Sequence, residues 1–234
     1  MNSRFGRFAT ATRPATVGQP VAAGRYRLSV VPVIARLDLA LLPSLKKMHW
    51  ILHRDVSGDV PYPECRLVNS RAVLNFHYWG GVSLASQYPN LEFEVSDSTD
   101  APRGLVDFMG SIQIDIVSRK LAAALQLVGA EIELFPVAMS YNGRRLDGQQ
   151  FFALNSLMRP RALDLKKSDV DLDEELGDVL VARKVVLDET AIANLNWLVV
   201  DELNRLAVSS KVIDAIRLSG CTGCAFSEPG LTRF

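Results

Sequence analysis

His49 and His53 stand four residues apart in MHWILH, a spacing at which two imidazoles on one helical turn can share a zinc ion. The metalloprotease form of that motif also needs a glutamate beside the first histidine as general base, and Trp50 holds the place. The segment reads equally well as a strand, where residues four apart share a face but lie much farther from each other. Packing or an amphipathic surface is therefore the expected role of both rings. Cys221 and Cys224 form a Cys-x-x-Cys pair. Redox pairs of this kind draw a low thiol pKa from a helix N-terminus, whereas this pair follows the end of a helical pattern, where the dipole opposes a thiolate. A zinc site would need a second pair, and only Cys65 and the histidines remain. Ser44 and Lys47 match the spacing of a Ser-Lys nucleophile pair without the rest of that signature. Dinucleotide, P-loop and nucleophile-elbow motifs are absent, and Gly80-Gly81 is too short to cradle a phosphate. No catalytic residue, cofactor or metal is expected.

What remains are side chains suited to gripping a surface. His77, Tyr78 and Trp79 form an aromatic cluster, first read as core or strand packing and alternatively as an interface anchor. Asp169, Asp171, Asp173, Glu174, Glu175 and Asp178 form an acidic run. Blocks of like charge resist burial, so the run reads as a solvated linker, or else as a patch that steers a basic partner. The binding residues expected on this basis are Trp50, Tyr78, Trp79 and Tyr141 as anchors, with Asp171, Asp173, Glu174 and Glu175 as rim charges.

The elements that must hold these groups come from a chain of 234 residues, 48% of them hydrophobic, enough for a sizeable core. Twenty-six basic and twenty-six acidic residues cancel, so no whole-chain field points to nucleic acid or an anionic membrane. No apolar run approaches the roughly 20 residues of a membrane span, and the first residues lack the apolar region of a secretory signal. Arg4, Arg7, Arg13, Arg25 and Arg27 precede the first acid, Asp38. That pattern resembles a transit peptide, but residues 1–24 read more simply as a loosely held basic tail. Three cysteines make no disulfide framework, and a cytoplasmic location is the default. Residues 25–100 mix β-branched and aromatic runs with turn residues and read as β-rich, with one helix around Leu37–Lys47. The polar segment SDSTDAPRG marks a boundary, and residues 101–234 read as α+β.

That second region writes one small unit twice. VSRKLAAALQLVGAEIELF (117–135) and VSSKVIDAIRLSGCTGCAF (208–226) align without a gap at an offset of 91, matching Ser118 with Ser209, Lys120 with Lys211, Gly129 with Gly220 and Phe135 with Phe226. Ser118 suits an N-cap, Leu121, Ala124, Leu125 and Val128 make one apolar stripe, and Gly129 suits the left-handed residue that ends a helix. In the second copy Ser209 or Ser210 caps, and Val212, Ala215, Ile216 and Ser219 form the stripe. The fold class expected is α+β: a β-rich N-terminal part followed by a C-terminal part built on two related strand-helix-strand units, the two sharing one sheet layer. Asn142-Gly143 carries hairpin-turn chemistry between the copies.

From Leu105 to Pro229 the order of these pieces resembles bacterial polymorphic-toxin immunity proteins of immunity family eleven. The carriers are Ser118 with Leu121, Leu125 and Gly129; Phe135-Pro136; Ala153-Leu154-Asn155; Ala162-Leu163-Asp164 with Lys167-Ser168; Val186-Leu187-Asp188; Ser209, Lys211 and Gly220; and Thr222-Gly223 with Phe226 and Pro229. Cys224 stands where an aliphatic residue is common in the family. The resemblance implies a cytoplasmic antidote without catalysis that binds a cognate toxin, encoded nearby, and occludes it, with no nucleic-acid or membrane partner. Acidic groups could stand in for substrate phosphates if that toxin is a basic nuclease or deaminase. The alternatives are a small hydrolase using Ser44 and Lys47, a zinc enzyme using His49 and His53, or a scaffold module unrelated to toxins.

Overall fold

A computed structural model describes residues 48–57, 61–69, 80–86, 88, 90–97, 103–110, 114–148, 150–173 and 175–230. In chain order the elements are β1 (His49–Arg54), β2 (Glu64–Leu67), β3 (Glu92–Ser96), β4 (Phe108–Gly110), β5 (Asp115–Ser118), α1 (Arg119–Leu127), β6 (Ile132–Pro136), β7 (Ala138–Tyr141), β8 (Arg144–Arg145) and β9 (Phe151–Ser156). There follow β10 (Asp169–Leu172), β11 (Val179–Lys184), β12 (Trp197–Val200), a single 3-10 turn at Asp201–Leu203, β13 (Arg205–Ser209), α2 (Ser210–Leu218) and β14 (Cys224–Ser227). This is a β-rich α+β protein with two α-helices among the described residues. The helix expected around Leu37–Lys47 and the basic tail lie outside them.

Local sequence explains α1 directly. The Ser118 hydroxyl accepts from the Leu121 amide at 3.2 Å, satisfying one free donor of the first turn. Leu121, Ala124, Leu125 and Val128 are all buried, and the chain then turns out of the helix at Gly129, φ +70°. Helix α2 repeats the stripe with Val212, Ala215 and Ile216 buried, and the stop with Gly220 at φ +61°. Its cap differs from the expectation. Ser209 occupies the N-cap position but makes no side-chain cap bond, and the Ser210 hydroxyl instead donates to the Met48 carbonyl at 3.1 Å.

Each helix belongs to its own four-stranded sheet, which corrects the expectation of one shared layer. The orders are β4-β5-β9-β6 and β12-β13-β1-β14. In both, a short hairpin leads into the helix, and the strand after the helix lies parallel to the one before it, separated by an intruding antiparallel strand. β9 intrudes in the first sheet and β1 in the second. Because that slot is filled, neither sheet is left with an open side within its strand-helix-strand unit for the other unit to join.

The registers also correct the alignment at its last element. Val117 pairs with Phe152 and Val208 with Trp50, so Phe152 and Trp50 are equivalent. Leu134 pairs with Leu154 and Phe226 with Leu52, so Phe226 matches Leu134 rather than Phe135. The offset is therefore 92 on this strand (226 minus 134), and one extra residue sits in the turn between Gly220 and Cys224.

Period-2 alternation assigns the faces. Phe108, Val117, Phe152, Leu154 and Leu134 from the first sheet, and Trp197, Val199, Leu206, Val208 and Leu52 from the second, share one core with the buried stripes of α1 and α2. The outer face of the first sheet (Met109, Ile116, Ala153, Phe135) packs on Phe93, Val95 and Met139 of a third sheet, β2-β3-β7-β8. The outer face of the second (Ile51, Leu198, Val200, Ala207) packs on Ala162, Ala182, Val185 and Leu187 and on the β10-β11 hairpin. Strands β5, β9 and β12 are buried at every position because both their faces are covered. The β7-β8 turn is the expected hairpin, with Asn142 and Gly143 both at positive φ. Pairing crosses the boundary placed near residue 100, since β1 joins β13 and β14, and β3 joins β7 in parallel.

Candidate functional site

Of the residues singled out for chemistry, both histidines lie in a strand. His49 is fully buried in β1. Its amide donates to Glu189 Oε1 at 2.9 Å, its Nδ1 lies 2.7 Å from Glu189 Oε2, and its Nε2 donates to the Leu195 carbonyl at 3.0 Å. His53 lies four strand positions further, about 13 Å away by the strand rise. Burial first, and the Arg205 charge second, depress its pKa. Among the described residues no group of three His, Cys, Asp or Glu side chains could hold a metal ion. Ser44 and Lys47 lie outside the described residues.

The three thiols are free and half-buried. Burial, then the Asp107 carboxylate, pushes Cys221 up to about 12; burial, then the Arg54 charge acting in opposition, leaves Cys65 at about 12; Cys224 is raised mainly by burial and then by Cys221. Thiolate is the reactive form, so native protein at pH 8 is expected to alkylate at least about 100-fold more slowly than the urea-unfolded chain, whose thiols titrate near 8.5. Mass-spectrometric counting of labelled thiols against time checks this, and equal rates would contradict it.

The repeated serines and glycines, with Lys120 of the first copy, build a reciprocal junction between the two sheets. Asp107, one residue before β4, accepts from the Ser118 hydroxyl at 2.6 Å, the Thr222 amide at 2.8 Å and Lys120 Nζ at 2.9 Å. Lys120 Nζ also donates to the Gly220 carbonyl at 2.9 Å, at the end of α2. The Asp107 and Phe108 amides donate to the Thr222 carbonyl, each at 3.1 Å. Gly223 follows at φ +85°, and a Cβ there would meet the Phe108 carbonyl at 2.6 Å, so the Thr222-Gly223 pair is fixed by this close approach.

Asn196, one residue before β12, plays the corresponding part. It accepts from the Ser209 hydroxyl at 3.1 Å and donates to the Val128 carbonyl at 3.1 Å at the end of α1. Glu131 then accepts from the Asn196 and Trp197 amides, each at 3.1 Å. Each unit thus closes the helix end of the other. Asp107, Asn196 and Glu131 were missed in the sequence; the signal was a short polar side chain directly before an aromatic strand start, at Asp107-Phe108 and Asn196-Trp197. Beside this junction, Asp107, Ser118, Lys120, Asp147, Gly148 and Gln150 line a shallow depression. Its lysine is already paired with Asp107.

The expected binding residues are scattered. Trp50 lies in β1, partly buried against the helix core. Tyr141 ends β7 in the third sheet, and its hydroxyl donates to the Asp97 carboxylate. Asp171, Asp173 and Glu175 come together on the β10-β11 hairpin, which covers the outer face of a different sheet from the one Tyr141's sheet covers. Tyr78, Trp79 and Glu174 lie outside the described residues. Two of the acids are locally compensated. Arg183 Nη1 and Nη2 grip Asp171 at 3.0 and 2.6 Å, and Arg183 Nε reaches Asp169 at 3.1 Å. The acidic run is thus a hairpin strand and its turn, where a linker was the first reading.

A protein-family model described as Immunity protein family (Imm11) matches residues 48–230, a span that takes in all the strands and both helices described above. The chain belongs to the Imm11 immunity protein family. Comparison with curated proteins returns no match. The cross-clamped helix ends of this Imm11 protein account for Ser118, Ser209, Gly129, Gly220 and the Thr222-Gly223 pair as fold-keeping residues. Membership in an immunity family points to a role in binding a toxin and not to catalysis. Among the described residues of this Imm11 chain, no helix is long and apolar enough to cross a membrane.

Proposed function

We propose that the protein is the antidote of a toxin-immunity pair, acting in the cytoplasm by stoichiometric binding that occludes the toxin's active site. The observation that carries this reading is the Imm11 match over residues 48–230. An interface of ordinary size, about 1,600 Å² in total, suffices for a specific and stable complex. The scaffold behind it is two related units, each a hairpin, helix and returning strand, with the same pattern of strand order and reciprocal junctions. The cognate toxin is taken to be encoded beside this gene.

Co-expression tests the reading. Cells making the neighbouring toxin alone are expected to stop growing, and cells making both proteins to grow normally. Protection should fail once toxin exceeds antidote in molar terms, because occlusion is one-to-one. Absence of rescue from every neighbouring toxin, or protection at strongly substoichiometric antidote, would sink it; the second outcome would point to an enzyme.

A further inference from the structure

The β10-β11 hairpin is a two-stranded sheet of its own, held by one side only. Val170, Val179 and Ala182 pack it onto the core beneath the second sheet. Its turn is ordered by Asp173, whose carboxylate accepts from the Glu175 and Leu176 amides at 2.9 and 2.7 Å, while the Asp173 amide donates to the Asp178 carbonyl at 2.8 Å. On this hydrogen-bonded turn and the strand leaving it, Leu176 is 74% exposed and Leu180 65%. Asp173, Glu175 and Asp178 lie beside them in the chain and, unlike Asp169 and Asp171, make no ion pair among the described residues. Arg161, which reaches this turn, is turned to the Gly177 carbonyl at 3.4 Å and to Glu202 at 3.6 Å.

Charge on a free hairpin discourages self-pairing, but that function does not call for two leucines in water. Exposed apolar groups beside acids that no basic side chain pairs, on a backbone held by its own hydrogen bonds, are the arrangement of a preorganised protein contact. We propose that this hairpin is the element that enters the toxin, with Leu176 and Leu180 filling a shallow apolar pocket and Glu175 and Asp178 facing lysines or arginines around it. The partner surface is therefore cationic, as in a toxin whose own substrate is an anion. This inference rests on the immunity reading.

The test uses the full chain and, as probe, the neighbouring toxin domain that the wild-type chain rescues. Leu176→Ala with Leu180→Ala is expected to weaken binding by about 100-fold or more, mainly through faster dissociation. Glu175→Lys with Asp178→Lys is expected to slow association by about tenfold at low salt and to abolish its salt dependence. Leu127→Ala with Leu218→Ala, truncating the exposed ends of the two helices, should bind as wild type. All of the altered side chains are exposed, so melting temperatures within about 2 °C of wild type are expected and exclude misfolding. Wild-type affinity in both hairpin variants would overturn the hairpin assignment and leave the immunity reading intact. Failure of the wild-type chain to bind or rescue would overturn the immunity reading, and this inference with it.

Discussion

Asp107→Ala is expected to destabilise the protein by about 2–4 kcal/mol, because the substitution strips four donors of one nearly buried acceptor. The Ser118 hydroxyl, the Thr222 amide and the Thr222 hydroxyl lose their partner together with Lys120. Lys120 is almost half exposed, so water replaces much of its share, and the Thr222 and Ser118 bonds carry the larger part. Urea denaturation at pH 7 measures the loss, and a change below about 0.5 kcal/mol would show that the junction holds without this carboxylate. The same group gives a pH signature. Burial alone would raise the Asp107 pKa, but the bonds from Lys120, Ser118 and the Thr222 amide, with the Lys120 charge, outweigh it and hold the carboxyl below its ordinary value. A carboxyl depressed in the folded state contributes stability above its unfolded pKa and loses it as pH falls through the folded one. The stability gap between wild type and Asp107→Asn should therefore be full above about pH 5 and shrink steadily below about pH 4. A gap independent of pH would refute the assignment.

Ile51→Pro should abolish cooperative folding. Ile51 is fully buried on the outer face of the second sheet, in a strand bonded on both sides, to Ala207 across one ladder and to Ser227 across the other. Proline removes a ladder donor and is confined elsewhere to edge strands. The substitution also removes the side chain that joins Leu198 and Ala207 to the layer beneath. The combined cost, about 5 kcal/mol or more, is comparable to the whole stability of an ordinary domain. Ile51→Val, which keeps the ladder and most of the packing, should cost only about 0.5–1.5 kcal/mol. Near-ultraviolet circular dichroism and thermal melting distinguish the two. A sharp melt in Ile51→Pro would mean that β1 docks late and weakly, contrary to its central place.

Local signals in the sequence translated well. Ser118, the stripe from Leu121 to Val128, and Gly129 specify a helix start, face and stop within a dozen residues, and the Asn142-Gly143 turn depends only on its own backbone. What could not be read was pairing at long range. HWILHR reads as a strand or a helix, and nothing in it says that its neighbours are β13 and β14. The extra residue between Gly220 and Cys224 is invisible to an ungapped alignment and becomes apparent only through the Leu52 to Phe226 pairing. In the acidic run, the charge count hid a period-2 signal: Asp169, Val170, Asp171 and Leu172 alternate outward and inward, and the compensating Arg183 lies beyond the turn. Surface exposure was the least legible, because residue type and charge do not say which side chains a fold will leave in water. Tyr141 is tied to Asp97 and Trp50 lies against the helices, whereas Leu176 and Leu180, ordinary apolar letters in the sequence, are exposed.

The position of β1 has a consequence for biosynthesis. His49 meets its partner Ser209 only 160 positions later in the chain (209 minus 49), while in the first sheet Asp115 meets Leu154 after 39. At roughly 5–20 residues per second, β1 waits on the order of ten to thirty seconds after its own synthesis before β13 exists. During that interval Ile51 and Leu52 have no permanent cover, and the first sheet can close without them. The nascent chain can therefore finish one sheet while the strand that will centre the other is still single.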